Sequence, residues 1–409
     1  MLVILLTLNF YKLAFGNVIT NISGILYTIV ATSFIYEYTK SATLAAIVAL
    51  VRTIAKIISG LQLPFYTERF DITRLISSFY LFQVLLLSFF IVYFKLIELN
   101  TFTTTFIYLF VFFISYIEGI ILPCRNSLVP KVVTHTQLFR ANNIISFLEQ
   151  TVSLLSWGMG GLLVVYFDKL WILVGITFSY LFPALLFKSM NIKIDKMKHK
   201  KKKIFRLDGW RVVKSNPFLL KMLIVDIIEG IASGIWIGGI TLAFVREVLH
   251  KGENWWGYIN TSYYLGTILS SSVLIIISSI IRRKLVISMS LGSLGVSVFV
   301  FIFGLNKIPL MSLILVFVLG LFYQLRDSAQ RTLLQLHVKD DDLTAFYGFY
   351  SSINSVVFGF SIFLMGTISD LLGPQNIYLL ASLMTLVSSI LIFVALKNLK
   401  IEFNVNKTI

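Results

Sequence analysis

The sequence predicts an all-α integral membrane protein with twelve transmembrane helices arranged as two six-helix halves. Three observations predict it. Of 409 residues, 57% are hydrophobic and only 13% charged, about half the charged share of a soluble domain, and the mean hydropathy is +0.87. The apolar residues fall in runs that match a spanning helix, which needs about 20 residues, and are too long and continuous for the strands of a membrane barrel. One basic stretch, Lys193 to Lys214 with Lys200, Lys201, Lys202 and Lys203 at its centre, divides the chain near its midpoint.

Taken in order, spans are expected at residues 13–37, 41–63, 75–97, 102–123, 141–167 and 170–190. After the linker they are expected at 217–245, 255–281, 285–304, 309–327, 345–371 and 376–396. The halves are thus residues 1–190 and 217–409, the second ending in a short tail, with a basic linker at 191–216. Met1 to Leu8 is apolar but lacks the basic flank and small-residue cleavage site of a signal peptide. It reads as a short N-terminal addition or as a misplaced start.

Orientation follows from the cations. Connections on one side carry Arg69, Arg74, Arg125, Lys131, Arg140, Arg282, Arg283, Lys284, Arg326, Arg331, Lys339, Lys397, Lys400 and Lys407. Those on the other carry Lys40, Lys95, Lys169, Arg246, Lys251 and Lys307. Fourteen against six, with the linker on the richer side, places both termini in the cytoplasm and the protein in the cell membrane. This bias accounts for the net charge of +16 without invoking nucleic acid. Anionic lipid headgroups are the expected partner of the central Lys run.

Enzyme chemistry finds no support. Cys124 is the lone cysteine, so intramolecular disulfides and cysteine-based metal sites are excluded. His135, His199, His250 and His337 show no ligand spacing. No phosphate-binding Gly-rich loop ending in Lys-Ser or Lys-Thr is present, nor a serine nucleophile with positioned partners. No metal or other cofactor is expected. Two six-helix halves suggest instead a transporter working by alternating access around a midplane cavity, driven by a proton gradient and expected as a monomer.

Several motifs resemble the major facilitator superfamily, in particular its drug- and macrolide-efflux-like branch. Asn9-Phe10-Tyr11-Lys12-Leu13 leading to Asn21-Ile22-Ser23-Gly24 resembles that branch's entry into its first span. Thr67-Glu68-Arg69-Phe70-Asp71-Ile72-Thr73-Arg74 resembles the signature loop after its second. Pro123-Cys124-Arg125-Asn126-Ser127-Leu128-Val129-Pro130, followed by Leu138-Phe139-Arg140-Ala141-Asn142, resembles its fourth-span exit and fifth-span entry. Gly257-Tyr258-Ile259 with Gly266, and Gly366-Thr367-Ile368-Ser369-Asp370-Leu371-Leu372-Gly373, resemble its eighth and eleventh spans. The chain departs from the pattern where Pro64 stands for the loop's usual first Gly, Glu68 for Asp, and Ile72 and Thr73 for two basic residues. In Ser156-Trp157-Gly158-Met159-Gly160-Gly161, Trp157 replaces the Pro of the exporter motif. The resemblance implies proton-coupled, antiporter-type efflux of amphiphilic drug-like or macrolide-like compounds, a multidrug-resistance activity. Uptake or export of another small molecule (a metabolite, peptide or lysolipid) is the alternative within transport. A transport-inactive scaffold or immunity-type protein is the alternative outside it.

Charges within spans are costly and so mark functional candidates. Asp226 and Glu229 lie three apart on one face of the seventh span. Two carboxylates in a partly dehydrated site suit loading and releasing a proton, whereas the structural reading is a pair bound to a basic side chain. Glu118 and Glu149 are the next proton candidates, with Glu118 expected to pair with Arg125 at the same helix end. Arg52 and Lys56 lie four apart in the second span and need carboxylate partners. A network of Arg52, Lys56, Glu149 and Asp226 is one expectation, and an anionic substrate group bound at Arg52 is the other. Asn17 and Asn21 lie four apart on the first span, facing a cavity or hydrogen-bonding a neighbouring helix. Glu68, Arg69, Asp71 and Arg74, with Arg125, form an inner gate. The resemblance gives Arg69 and Arg74 a latching role there, and an ordinary positive-inside loop is the alternative. Asp340, Asp341 and Asp342 are an acidic counterpart to the Lys run, or a solvated turn. Ser153, Ser156, Gly158, Gly160 and Gly161 would let the fifth span approach a neighbour. The aromatic content suits an apolar cavity wall, and Trp255-Trp256 reads as an interfacial anchor.

Overall fold

The structure is a computed structural model and describes residues 6–96, 101–190, 192, 208–236 and 238–396. Lys200 to Lys203, Met1 to Leu5 and the tail cations Lys397, Lys400 and Lys407 lie outside the described residues. All described regular structure is helical. The long helices of the first half are α1 (Leu8–Thr39), α2 (Ala42–Thr67), α3 (Ile72–Leu96), α4 (Thr101–Val132), α5 (Leu138–Tyr166) and α6 (Lys169–Lys188). Their starts are set by local chemistry. Thr7 accepts from the Phe10 amide to cap α1, Ser41 from Leu44 to cap α2, and Asp168 from Leu170 to cap α6. Helix α1 stops where Lys40 adopts the left-handed region at φ 52° and its amide bonds the Tyr36 carbonyl.

Part of the expected linker is itself helical: α7 (Asp208–Ser215) lies in it. Gly209 sits where an added Cβ would stand 2.4 Å from the Ala345 carbonyl oxygen, and Trp210 packs against Phe349 with ring centroids 6.0 Å apart. The expected continuous seventh span at 217–245 is corrected. It comprises α8 (Pro217–Ala232), a 3₁₀ turn at Ser233–Trp236 and α9 (Gly238–Glu247). Gly230, Gly234, Gly238 and Gly239 weaken the helix here. The Ile235 carbonyl, buried at the break, accepts hydrogen bonds from the Thr241 and Tyr378 hydroxyls, each 3.3 Å long. Such substitutes allow a broken backbone at membrane depth.

The remaining helices are α10 (Asn254–Ile276), the four-residue α11 (Ser278–Ile281), α12 (Leu285–Leu305), α13 (Pro309–His337), α14 (Leu343–Leu372) and α15 (Pro374–Leu396). A 3₁₀ turn at Arg282–Lys284 joins α11 to α12. Among the described residues, 11 helices are long and apolar enough to cross a membrane. The broken seventh span, in pieces of 16 and 10 residues, accounts for the difference from twelve. Their outward faces are apolar: Phe82, Leu85, Phe89 and Val92 on α3 are all exposed, a spacing of three to four residues that forms one stripe. This is a multi-pass membrane protein.

The chain divides into two compact units. The first comprises Met1–Val133, Thr151–Arg211 and Asp340–Ser355, and the second Thr134–Gln150, Val212–Lys339 and Val356–Ile409. Helices α5 and α14 therefore each contribute to both. Within the first unit α3 packs on α6, α2 on α4 and α1 on α6; within the second, α12 packs on α15, α10 on α13 and α8 on α15. The pairing order is the same, an internal repeat that residue identity barely preserves. Close crossings repeat as well. A Cβ on Gly119 would stand 2.9 Å from the Lys56 Cα, and one on Gly266 would stand 2.1 Å from the Phe317 carbonyl oxygen.

Candidate functional site

In the second unit, Asp226 and Glu229 lie one turn apart on α8, and Arg326 of α13 reaches both. Its Nη2 is 2.8 Å from Asp226 Oδ1 and 2.6 Å from Glu229 Oε2. Gln330 donates to both Asp226 oxygens at 2.5 and 2.6 Å, and the Ser293 hydroxyl donates to Glu229 Oε1 at 2.7 Å. The Asp226 and Arg326 side chains are each 9% exposed and that of Glu229 16%. Gly292 lets α12 approach α13 here, since its Cβ would fall 2.7 Å from the Arg326 backbone nitrogen. One guanidinium faces two carboxylates, so the trio carries a net negative charge that binding one proton removes.

Glu229 and Arg326 open onto a cavity of about 250 Å³. Trp236, Tyr263, Tyr264 and Tyr323 line it, with Ile259, Val296 and Leu319. Asp226 is not among its lining residues, so Glu229 is the carboxylate the cavity reaches. Phe244, Phe303 and Tyr378 pack with centroids 4.7–5.0 Å apart and, with Trp236 tilted against Phe303 and edge-on to Tyr378, hold the broken helix beside the cavity.

In the first unit the carboxylate is Glu118 of α4. Arg52 Nη2 lies 2.9 Å and Lys56 Nζ 3.5 Å from Glu118 Oε2. The expected pairing of Glu118 with Arg125 is therefore corrected: seven residues along a helix separate them by about 10 Å of rise, and Arg125 donates instead to the Thr20 hydroxyl. The expected network of Arg52, Lys56, Glu149 and Asp226 is corrected too. Glu149 pairs with Arg331 at 3.5 Å, Arg331 also meets Asp327 at 3.0 Å, and Asp226 belongs to Arg326.

A cavity of about 200 Å³ adjoins Arg52, Lys56, Glu118 and Arg125. Asn21 lines it, while Asn17 is buried one turn earlier and does not. Trp157, the residue that replaces the exporter-motif Pro, lines it as well. Of the α5 glycines only Gly160 is tightly packed, its Cβ position lying 2.4 Å from Ile29 Cδ1; Gly158 and Gly161 face open space. Around the signature loop, Arg74 lies 3.6 Å from Asp71, and the Arg69 guanidinium stacks 3.8 Å from the Phe65 ring centre. Glu68 closes the end of α2. Trp255, expected as an anchor, packs partly against the second unit's core, whereas Trp256 is exposed. Among the described residues no cluster of three His, Cys, Asp or Glu side chains is placed to hold a metal ion.

Arg326, counted above among the connection cations, is the residue that sequence reasoning missed. A search for a helix stop would have found it, because no Gly or Pro follows until well past His337 and α13 runs on to that residue. Asn142 and Asn143 were missed likewise. Asn142 donates to Thr332 at 2.9 Å and Gln335 at 2.7 Å, and Asn143 accepts from Ser328 at 2.9 Å.

The family profile described as Major Facilitator Superfamily matches residues 232–405. The chain is 32% identical over 408 residues to the uncharacterized MFS-type transporter YfmI of Bacillus subtilis, covering 98% of this chain and 99% of that one. It is 25% identical over 382 residues to a second B. subtilis protein, the uncharacterized MFS-type transporter YjbB, covering 91% and 92%. Among solved structures, the E. coli fucose:proton symporter FucP superposes with a TM-score of 0.73 at 14% identity, covering 94% of this chain and 97% of FucP. That likeness is one of fold.

Proposed function

We propose that this chain, which belongs to the major facilitator superfamily, is a secondary active transporter that exchanges an amphiphilic small molecule for protons. The family is one of transporters, so the protein is not an enzyme. The observation that carries the proton coupling is the Asp226–Arg326–Glu229 trio. A buried guanidinium shared by two carboxylates is charge-balanced only when one proton is bound, and Glu229 lines the cavity from which that proton can be exchanged. The aromatic wall supports an amphiphilic cargo. The fold also supports proton coupling of a solute, as in the fucose:proton symporter it resembles. Export is the direction the efflux-like motifs suggest. In this reading the protein sits in the cell membrane with both termini cytoplasmic and acts as a monomer. Arg69 and Arg74 latch the inner loop, and Lys200 to Lys203 rest on anionic headgroups.

The test is made in proteoliposomes containing purified protein and a pH-sensitive dye, under an imposed pH gradient. Amphiphilic compounds of either charge and macrolide-like compounds are added in turn. Solute-dependent proton movement is expected, and the double variant Asp226→Asn, Glu229→Gln is expected to abolish it. Movement that persists in the double variant would transfer the coupling site to Glu118 or Glu149. Absence of movement with every compound, in protein of unchanged thermal midpoint, would overturn proton coupling.

A further inference from the structure

The cavity of the first unit has a charge imbalance that its own side chains do not settle. Arg52, Lys56 and Arg125 line it, and Glu118 is the single carboxylate among its lining residues. Arg52 and Lys56 share that carboxylate. Arg125 is only 5% exposed and donates to a neutral hydroxyl, that of Thr20, while its Nε finds no acceptor among the described residues. Burying a guanidinium that has hydroxyl partners but no carboxylate is costly, and such groups in membrane spans mark ligand or ion sites. A guanidinium also grips a planar oxyanion with two parallel hydrogen bonds. Apolar surface stands beside it, from Trp157, Tyr180 and Ile121.

We propose that this cavity recognises an oxyanion (a carboxylate, sulfonate or phosphate) carried on a small organic molecule, with Arg125 as the primary contact and Lys56 and Arg52 supplying the remaining positive charge. At about 200 Å³ the space holds a ring-sized acid rather than a whole drug-sized compound. The same oxyanion chemistry also arrives on an anionic lipid headgroup. This inference rests on the transport reading only in calling the anion the cargo; the binding itself is independent of it.

The experiment uses the full chain in phosphatidylcholine nanodiscs and titrates benzoate, benzenesulfonate and phenyl phosphate against neutral benzamide. Binding is read by calorimetry and by the fluorescence of Trp157 against a Trp157→Phe control. At least one of the acids is expected to bind about tenfold or more tightly than benzamide, the scale of one charge-assisted contact. Arg125→Gln and, separately, Lys56→Gln are expected to remove most of that preference, and Asp226→Asn with Glu229→Gln to leave it intact. Lys56→Gln serves if Arg125→Gln does not fold, as judged by its thermal midpoint. Acids that bind no better than benzamide overturn the proposal, as does a preference that survives a folded Arg125→Gln or Lys56→Gln variant. Repeating the titration with phosphatidylglycerol in the nanodisc separates the sources. Competition there supports the oxyanion site with a lipid headgroup as its occupant, and unchanged affinity supports a soluble acid. Proton-coupled transport that persists without acid binding would sink this inference alone, and acid binding without transport would sink the transport reading alone.

Discussion

Arg326 is held by two carboxylates and holds them in return, so its removal leaves two buried anions facing each other. Breaking a buried ion pair by deleting one partner costs about 3–5 kcal/mol. Arg326→Met is therefore expected to lower the thermal midpoint of the purified protein sharply. A triple variant that also carries Asp226→Asn and Glu229→Gln is expected to recover most of the loss, because it buries no unpaired charge. Recovery would establish the trio as an electrostatic unit. A triple variant as unstable as Arg326→Met alone would instead assign Arg326 a packing role against α12, where Gly292 meets its backbone. Asp226 and Glu229 were legible in the sequence because acidic residues in an apolar run are conspicuous. Their partner was not, since an arginine near the end of a run looks like loop charge until the helix is known to continue.

At the scale of helices, the contacts that matter are between backbones. Gly266 on α10 meets the Phe317 carbonyl of α13, and Gly320 meets Tyr263 in return. Without a hydrophobic drive between helices in lipid, such close approach supplies much of the association. Gly266→Leu is expected to destabilise the protein by at least about 1–3 kcal/mol through overpacking, read as a lower melting midpoint. Gly161→Ala, whose Cβ enters open space, is expected to be neutral or to gain up to about 1 kcal/mol from helix propensity. Equal effects at the two sites would show that α10 and α13 are not held by this crossing. Both glycines stand in apolar runs, and one chain of letters does not say which neighbour a glycine faces. The break in the seventh span has the same origin. Its glycines permit it, but of the two hydroxyls that satisfy the Ile235 carbonyl, that of Thr241 is six residues away and that of Tyr378 is 143 residues away.

For the molecule as a whole, the cation asymmetry predicts a cytoplasmic linker and an external connection at Lys307. Cys124 is buried, so single reporters can be placed in a Cys124→Ala background. In everted vesicles a membrane-impermeant maleimide is expected to label Lys202→Cys and spare Lys307→Cys, with the reverse in intact cells. The opposite pattern would invert the topology and with it the assignment of inner and outer cavity ends.

The membrane class, most helix positions and the charged residues that stand in apolar runs are all readable from the amino-acid sequence. These are local properties: hydropathy along about 20 residues, a cap, a glycine, a carboxylate in an apolar run. Pairing was decided by the tertiary structure alone. Glu118 chose Arg52 and Lys56 over Arg125, Glu149 chose Arg331, and Asp226 and Glu229 share Arg326. An ion pair forms across a few ångströms of space, and residues that distance apart lie 62 to 182 positions apart in the chain here. Depth in the membrane is encoded in sequence; which helix stands alongside is set by how whole faces pack.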